Sequence, residues 1–237
     1  MKADAPFGAN DWDTVALVVF DVDGTLYDQR ALRLRMAYEL LWHAARRRDL
    51  QVAAVLRRYR HLREQFGQEE QPGFESQLVA ATAAAGGCTA PQVQAIVDEW
   101  ILHRPLPFLA RYRYPGLTDL FAGLRRSGRT VGVLSDYPAA AKLRALGLEA
   151  DLVVSASDAD VQALKPHPRG LQCLMRRAGT SAVHTLVIGD RIDRDGLVAR
   201  RLGARCLIRS ASRAAGWQTF ARFDGPLFAP VLGSPGG

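Results

Sequence analysis

The chain has 237 residues, 48% hydrophobic and 23% charged, with a mean hydropathy of −0.07, so one or two folded domains with a real core are expected and long disorder is not. No run of ~18 uncharged apolar residues occurs, and the N-terminus has no apolar leader-like stretch, so neither a membrane span nor a cleaved signal is expected. Cys88, Cys173 and Cys206 lie far apart, which excludes a disulfide scaffold or Cys-based zinc site and suits a reducing cytoplasm, whereas the formal charge of +7 raises nucleic acid, lipid headgroups and phosphorylated molecules as partners.

Along the chain, Val15–Phe20 is a continuous apolar run, the signature of a strand buried on both faces of a parallel sheet. From 29 to 110 no strand is predicted. Leu34, Ala37, Leu41 and Ala44, then Val52, Val55, Leu56, Tyr59, Leu62 and Phe66, recur at helical spacing. Gly67–Gly73 and Gly86–Thr89 read as connections, and Pro91–His103 as a further helix. Strands are then predicted at Val131–Ser135, Leu152–Ser155, Thr185–Ile188 and Arg205–Ile208. Helices separate them at Gly116–Ser127, Pro138–Leu146, Pro168–Ala178 and Gly196–Leu202. This alternation predicts an α/β fold: a Rossmann-like open parallel sheet whose core (1–28 and 111–237) is interrupted by an all-helical insert (29–110). The Pro/Gly-rich stretch 225–237 is expected to be a flexible tail.

Chemistry concentrates at the predicted strand ends, where open α/β sheets bind ligands. Asp21-Val22-Asp23-Gly24-Thr25 follows the first strand. Two carboxylates so close raise one pKa or demand a cation, and a hard ion such as Mg²⁺ resolves the repulsion. Taken alone, the motif also reads as an Asp/Gly turn with a helix cap. Further along, Ser135 ends the second strand, Lys165 opens the rigid turn Lys165-Pro-His-Pro168, and Gly189-Asp190 leads to Asp193 and Asp195. Carboxylates, a hydroxyl and an ammonium thus fall on one rim of one sheet.

In these four segments, DVDGT, VLSD, LKPHP and GDRIDRD, the chain resembles the haloacid dehalogenase-like hydrolase superfamily, and the helical insert lies where that family's C1-type cap lies. The resemblance, whose cap type is similar to that of phosphoglycolate phosphatase-like and sugar-phosphatase enzymes alike, implies a Mg²⁺-dependent phosphatase acting on a small phosphorylated metabolite. It makes Asp21 the nucleophile that forms an aspartyl-phosphate. Asp23 becomes the general acid and then base, with its carbonyl on the metal. Asp190 becomes a direct metal ligand, with Asp195 holding metal-bound water or orienting Lys165. Ser135 and Lys165 would neutralise the phosphoryl group. Dehalogenases attack carbon and need no acid two residues after the nucleophile, so Asp23 favours C–O–P chemistry. Where many relatives have Asn, this chain has Asp136, expected to face away from phosphate and bind backbone. Asp193 reads as a loop acid beside Arg191 and Arg194, and His167 as a substrate contact or a turn cap.

Tyr27, Arg30 and Arg33 directly follow the first loop and are the candidates for substrate specificity, while Tyr112–Gly116 reads as the return hinge. Two rivals stand beside the phosphatase. One is a phosphomutase of the β-phosphoglucomutase type, which returns the phosphoryl group to sugar. The other is a basic RNA- or protein-binding chain with a vestigial site. Of 31 basic residues only Lys2, Lys142 and Lys165 are lysines, and no aromatic-interleaved basic stripe occurs, so nucleic acid is not expected as a partner. A monomer or homodimer is expected.

Overall fold

The computed structural model describes residues 6–48, 50–70 and 73–233. Six parallel strands form one sheet: β1 (Leu17–Phe20), β2 (Thr130–Ser135), β3 (Leu152–Ser155), β4 (Thr185–Gly189), β5 (Arg205–Arg209) and β6 (Gln218–Phe220). Their order is β3-β2-β1-β4-β5-β6. β1 therefore pairs with β2 on one side and β4 on the other. Successive connections leave it in opposite directions, which opens a crevice at the carboxyl ends of these three strands. In the register, Phe20 is level with Val133 and Ile188, so the residues just beyond all three strands share one rim.

The apolar run of β1 feeds both faces of the sheet. Val18 and Phe20 pack into a cluster that continues into the helical insert, and Leu17 and Val19 into a second with Leu171, Leu174 and Val198. That two-sided burial explains why the strand has no polar alternation.

The cap consists of α1 (Gln29–Arg47), α2 (Gln51–Gln68), α3 (Phe74–Gly86), α4 (Ala90–Val97) with a π-type continuation over Asp98–His103, and α5 (Leu106–Tyr112). Asp28 caps α1 by accepting the Ala31 N–H at 3.0 Å. The two chain crossings are tied together: the Asp28 N–H donates to the Tyr112 carbonyl and the Tyr114 N–H to Leu26. The helix α3 was not predicted. Its Ala-rich sequence carries little amphipathic contrast, and only contact with α2 and α4 reveals its buried side, Phe74, Leu78 and Thr82. The strand β6 was also missed, being three residues long at the sheet edge.

The core helices are α6 (Leu117–Arg126), α7 (Ala140–Leu146), α8 (Arg169–Arg177), α9 (Leu197–Leu202) and α10 (Ala229–Leu232). The expected flexible tail is corrected by α10. Phe228 and Val231 are buried, and the Trp12 indole N–H donates to the Leu227 carbonyl at 2.8 Å. A Pro/Gly-rich composition here serves a tight turn and a short helix packed on α6; residues 234–237 lie outside the described residues. No described helix is long and apolar enough to cross a membrane. Phe228→Ala is expected to cost about 3–4 kcal/mol, measured as a lower urea midpoint at unchanged slope.

Candidate active site

Asp21 is placed by the sheet: its N–H continues the β1–β4 ladder to the Ile188 carbonyl at 2.9 Å. The Thr25 hydroxyl, one helical turn on, donates to Asp21 Oδ2 at 2.8 Å. Two glycines let further acids approach. Gly24 has φ +100°, and any Cβ there would collide with the Asp190 carboxylate; a Cβ on Gly189 would collide with Asp195. Asp21, Asp190 and Asp195 consequently offer carboxylate oxygens within 4.8 Å of one another.

One cation stands among these three acids. Lys165 Nζ lies 2.5 Å from Asp21 Oδ1 and 2.6 Å from Asp195 Oδ1. Burial alone would lower the Lys165 pKa, but Asp195, Asp21 and Asp136 outweigh it and raise it well above its usual range. Burial raises Asp21, and the charges of Asp195 and Asp190 add to it against the pull of Lys165. Asp190 is pushed up to about 6, first by burial and then by Asp195. The cluster is short of positive charge, and its donors are hard oxygens, so the residues fit a divalent ion such as Mg²⁺. Both Asp195 oxygens already have partners, Lys165 and the Arg191 N–H at 3.2 Å. Asp21 is likewise engaged on both oxygens, by Lys165 and Thr25, so Asp190 has the least committed carboxylate of the three.

Asp23 has its own cation. Lys142, buried on α7, lies 2.5 and 2.7 Å from its two oxygens, and the Tyr27 hydroxyl donates to it. Burial acts to raise the Asp23 pKa, but Lys142 and Tyr27 outweigh that and hold it below its ordinary value.

At the end of β2, Ser135 is buried and its Oγ accepts the Tyr137 N–H at 3.2 Å; it is not among the residues that line the cavity. Asp136 behaves as expected of a backbone binder, accepting the Lys165 N–H at 2.9 Å. The Asp136 carbonyl is held from the cap: Arg63 of α2 donates to it and stacks on the Tyr137 ring, 4.0 Å from its centroid.

A cavity of about 290 Å³ lies between this rim and the cap. Tyr27 and Arg33 line it, together with Arg60, Arg63 and Glu64 of α2. Arg30 is exposed and does not line it. Glu64 bridges to Arg191 at 2.6 Å and Arg194 at 2.9 Å, tying α2 to the loop that carries Asp190 and Asp195. Asp193 pairs with Arg191 at 2.5 Å on the outer side. His167 lies outside the cavity wall, its Nδ1 accepting the Arg169 N–H at 3.2 Å.

Sequence reasoning missed Lys142 and Glu64 as site residues. Lysine usage was a signal for the first. In a chain that uses arginine almost throughout, two of three lysines contact the two acids of the DVD motif. A compact ammonium fits a buried carboxylate pocket that a guanidinium would overfill.

The sequence profile of the haloacid dehalogenase-like hydrolases matches residues 15–203. The chain is 32% identical over 202 residues to a protein named probable phosphatase IndB of Dickeya dadantii (strain 3937), covering 79% of this chain and 77% of that one. It is 24% identical over 195 residues to the glyceraldehyde 3-phosphate phosphatase of Methanopyrus kandleri, covering 80% and 81%. Among solved structures, the putative HAD-hydrolase YfnB from Bacillus subtilis superposes with a TM-score of 0.64 at 16% identity, covering 89% of this chain and 96% of that chain.

Two outcomes follow from this geometry. Lys142→Met leaves the buried Asp23 without its cation and is expected to destabilise the fold by about 3 kcal/mol; adding Asp23→Asn should return most of that in a double-mutant cycle of urea melts. The Arg191 guanidinium, aided by Arg194 and against burial, lowers Glu64 to about 2 from an ordinary 4.5. A depressed carboxylate contributes stability that is present above pH 4.5 and lost as pH falls toward 2. The stability gap between wild type and Glu64→Gln should shrink over that window, from at most about 1 kcal/mol because the pair is half exposed.

Proposed function

The chain belongs to the haloacid dehalogenase-like hydrolase family, and on that premise we propose that it is a Mg²⁺-dependent phosphatase of a small phosphorylated metabolite. The observation that carries this reading is Asp23. A carboxylate held in the cavity by Lys142 and Tyr27, two residues after Asp21, is what C–O–P cleavage needs and attack on a carbon–halogen bond does not. The phosphatase names of the two relatives described above point the same way.

Asp21 attacks phosphorus and forms an aspartyl-phosphate, while the P–O bond to the alcohol breaks. Lys165 offsets negative charge on both the nucleophile and the phosphoryl oxygens. Ser135, buried and not among the cavity-lining residues, accepts the Tyr137 N–H and so holds the turn that carries Asp136. Asp23 rests as a carboxylate, because Lys142 and Tyr27 favour that form. An incoming phosphate dianion raises its pKa, so it takes up a proton in the complex and passes it to the departing alkoxide. The carboxylate so regenerated then removes a proton from the water that hydrolyses the aspartyl-phosphate. Asp21, Asp190 and the Asp23 carbonyl would hold a divalent ion such as Mg²⁺, which would supply the positive charge the acidic cluster lacks, while Asp195 orients Lys165. The cap excludes surplus water from the acyl-phosphate. Three free cysteines suit a cytoplasmic setting.

A generic aryl phosphate and a panel of metabolite phosphates test the reading. Asp21→Asn should fall to background, Asp23→Asn by about 10²–10⁴-fold in kcat, and chelation should abolish turnover until Mg²⁺ is restored. Phosphate release equal to substrate loss, with no isomer formed, separates hydrolysis from mutase action. No metal-dependent release from any ester would sink the proposal.

A further inference from the structure

The cavity is lined by seven basic and six acidic side chains, and most of them are already matched. Lys142 holds Asp23, and Lys165 holds Asp21 and Asp195. Arg63 is spent on the Asp136 carbonyl and the Tyr59 hydroxyl, and Arg191 and Arg194 on Glu64. Arg33 and Arg60 are the exceptions. Neither has a hydrogen-bond or ion-pair partner among the described residues.

Both are open to solvent, yet both also line the cavity. On α1 the cavity face runs through Gln29, Leu32, Arg33, Met36 and Leu40, and on α2 through Leu56, Arg60, Arg63 and Glu64, each at i, i+3/i+4, i+7 spacing. Arg57 and Arg58, on the same helix and equally exposed, do not line the cavity. The same cavity is also lined by the apolar side chains of Leu32, Met36, Leu56, Trp100 and Ile101, and two unpaired guanidinium groups on one cavity offer paired charge-assisted hydrogen bonds to an incoming anion. Partial desolvation at the cavity and the neighbouring Arg33 lower the Arg60 pKa, against the pull of Tyr137 and Asp23. Asp23 is not its missing partner, being matched by Lys142.

We propose that Arg33 and Arg60 bind a second anionic group, a carboxylate or a further phosphate, carried by the alcohol part of the substrate. This rests on the phosphatase reading for its orientation: the rim takes the scissile phosphate, the two cap arginines take the other end, and the apolar lining takes a short carbon chain. A neutral alcohol of the same size lacks anything to offer the two guanidinium groups. The cap thereby selects doubly anionic esters, with the charge at the far end worth about a tenfold to hundredfold gain in affinity.

Binding and turnover are measured separately. With Mg²⁺ present, titration calorimetry compares phosphonoacetate (phosphonate plus carboxylate) and methylenediphosphonate (two phosphonates) with methylphosphonate (one anion). At least one of the first two should bind about tenfold or more tighter than methylphosphonate, and which one does identifies the second anion. Arg33→Gln/Arg60→Gln should erase that gain, and Arg57→Gln/Arg58→Gln, which removes equal charge outside the cavity, should keep it. The proposal is overturned if neither probe gains, if the gain survives Arg33→Gln/Arg60→Gln, or if both double variants lose it equally. Hydrolysis of a carboxylated phosphate ester and its neutral amide is followed in parallel. A binding gain without hydrolysis of either ester defeats the phosphatase reading and leaves the anion site standing. Hydrolysis of both esters without a binding gain does the reverse.

Discussion

The Lys165 ammonium is the point on which the rim converges. It stands between Asp21 and Asp195 at hydrogen-bond distance from both, on a segment that belongs to neither of their strands. Its own N–H is fixed by Asp136 and its carbonyl by Arg194. Burying several carboxylates at the end of a sheet is unfavourable unless each finds a cation or donor. One lysine satisfies two of them and leaves the cluster deficient, the condition in which a divalent ion binds and an anionic ligand is tolerated beside acids. The glycines at 24 and 189 serve the same end, because any side chain there would push Asp190 or Asp195 out of the cluster.

Asp23 repeats this arrangement a short distance away with Lys142 and Tyr27. The two acids of one DVD motif are thus held in different electrostatic settings: one is burdened by neighbouring carboxylates, the other relieved by its own ammonium. Separating two carboxylates in this way lets one serve as a nucleophile poised for a metal and the other exchange protons.

The cap is coupled to these loops by specific contacts and not by apolar packing alone. Arg63 reaches the Asp136 carbonyl, and Glu64 reaches Arg191 and Arg194. One turn of α2 therefore touches both the loop after β2 and the loop after β4. Arg60 lies on the same helix face and lines the same cavity.

Much of this was legible in the chain. Continuous apolar runs such as Val15–Phe20 read as buried parallel strands because a parallel sheet covered on both faces leaves no polar alternation. The loops ending in Asp21, Ser135, Lys165 and Asp190 were readable because strand ends are where such chemistry sits. What failed had physical causes: α3 has too little amphipathic contrast, β6 is too short, and the Pro/Gly composition near Gly225 concealed a packed turn around Phe228. The sequence by itself determined the sheet, the interrupting helical block and the acids of the rim, since those depend on local pattern and strand ends. Only the tertiary structure decided that Lys142 pairs with Asp23, that Arg63 and Glu64 lock the cap to two loops, and that Arg33 and Arg60 face the cavity unmatched. Those pairings join residues far apart in sequence, and charge compensation is fixed by distance in space, which no local pattern records.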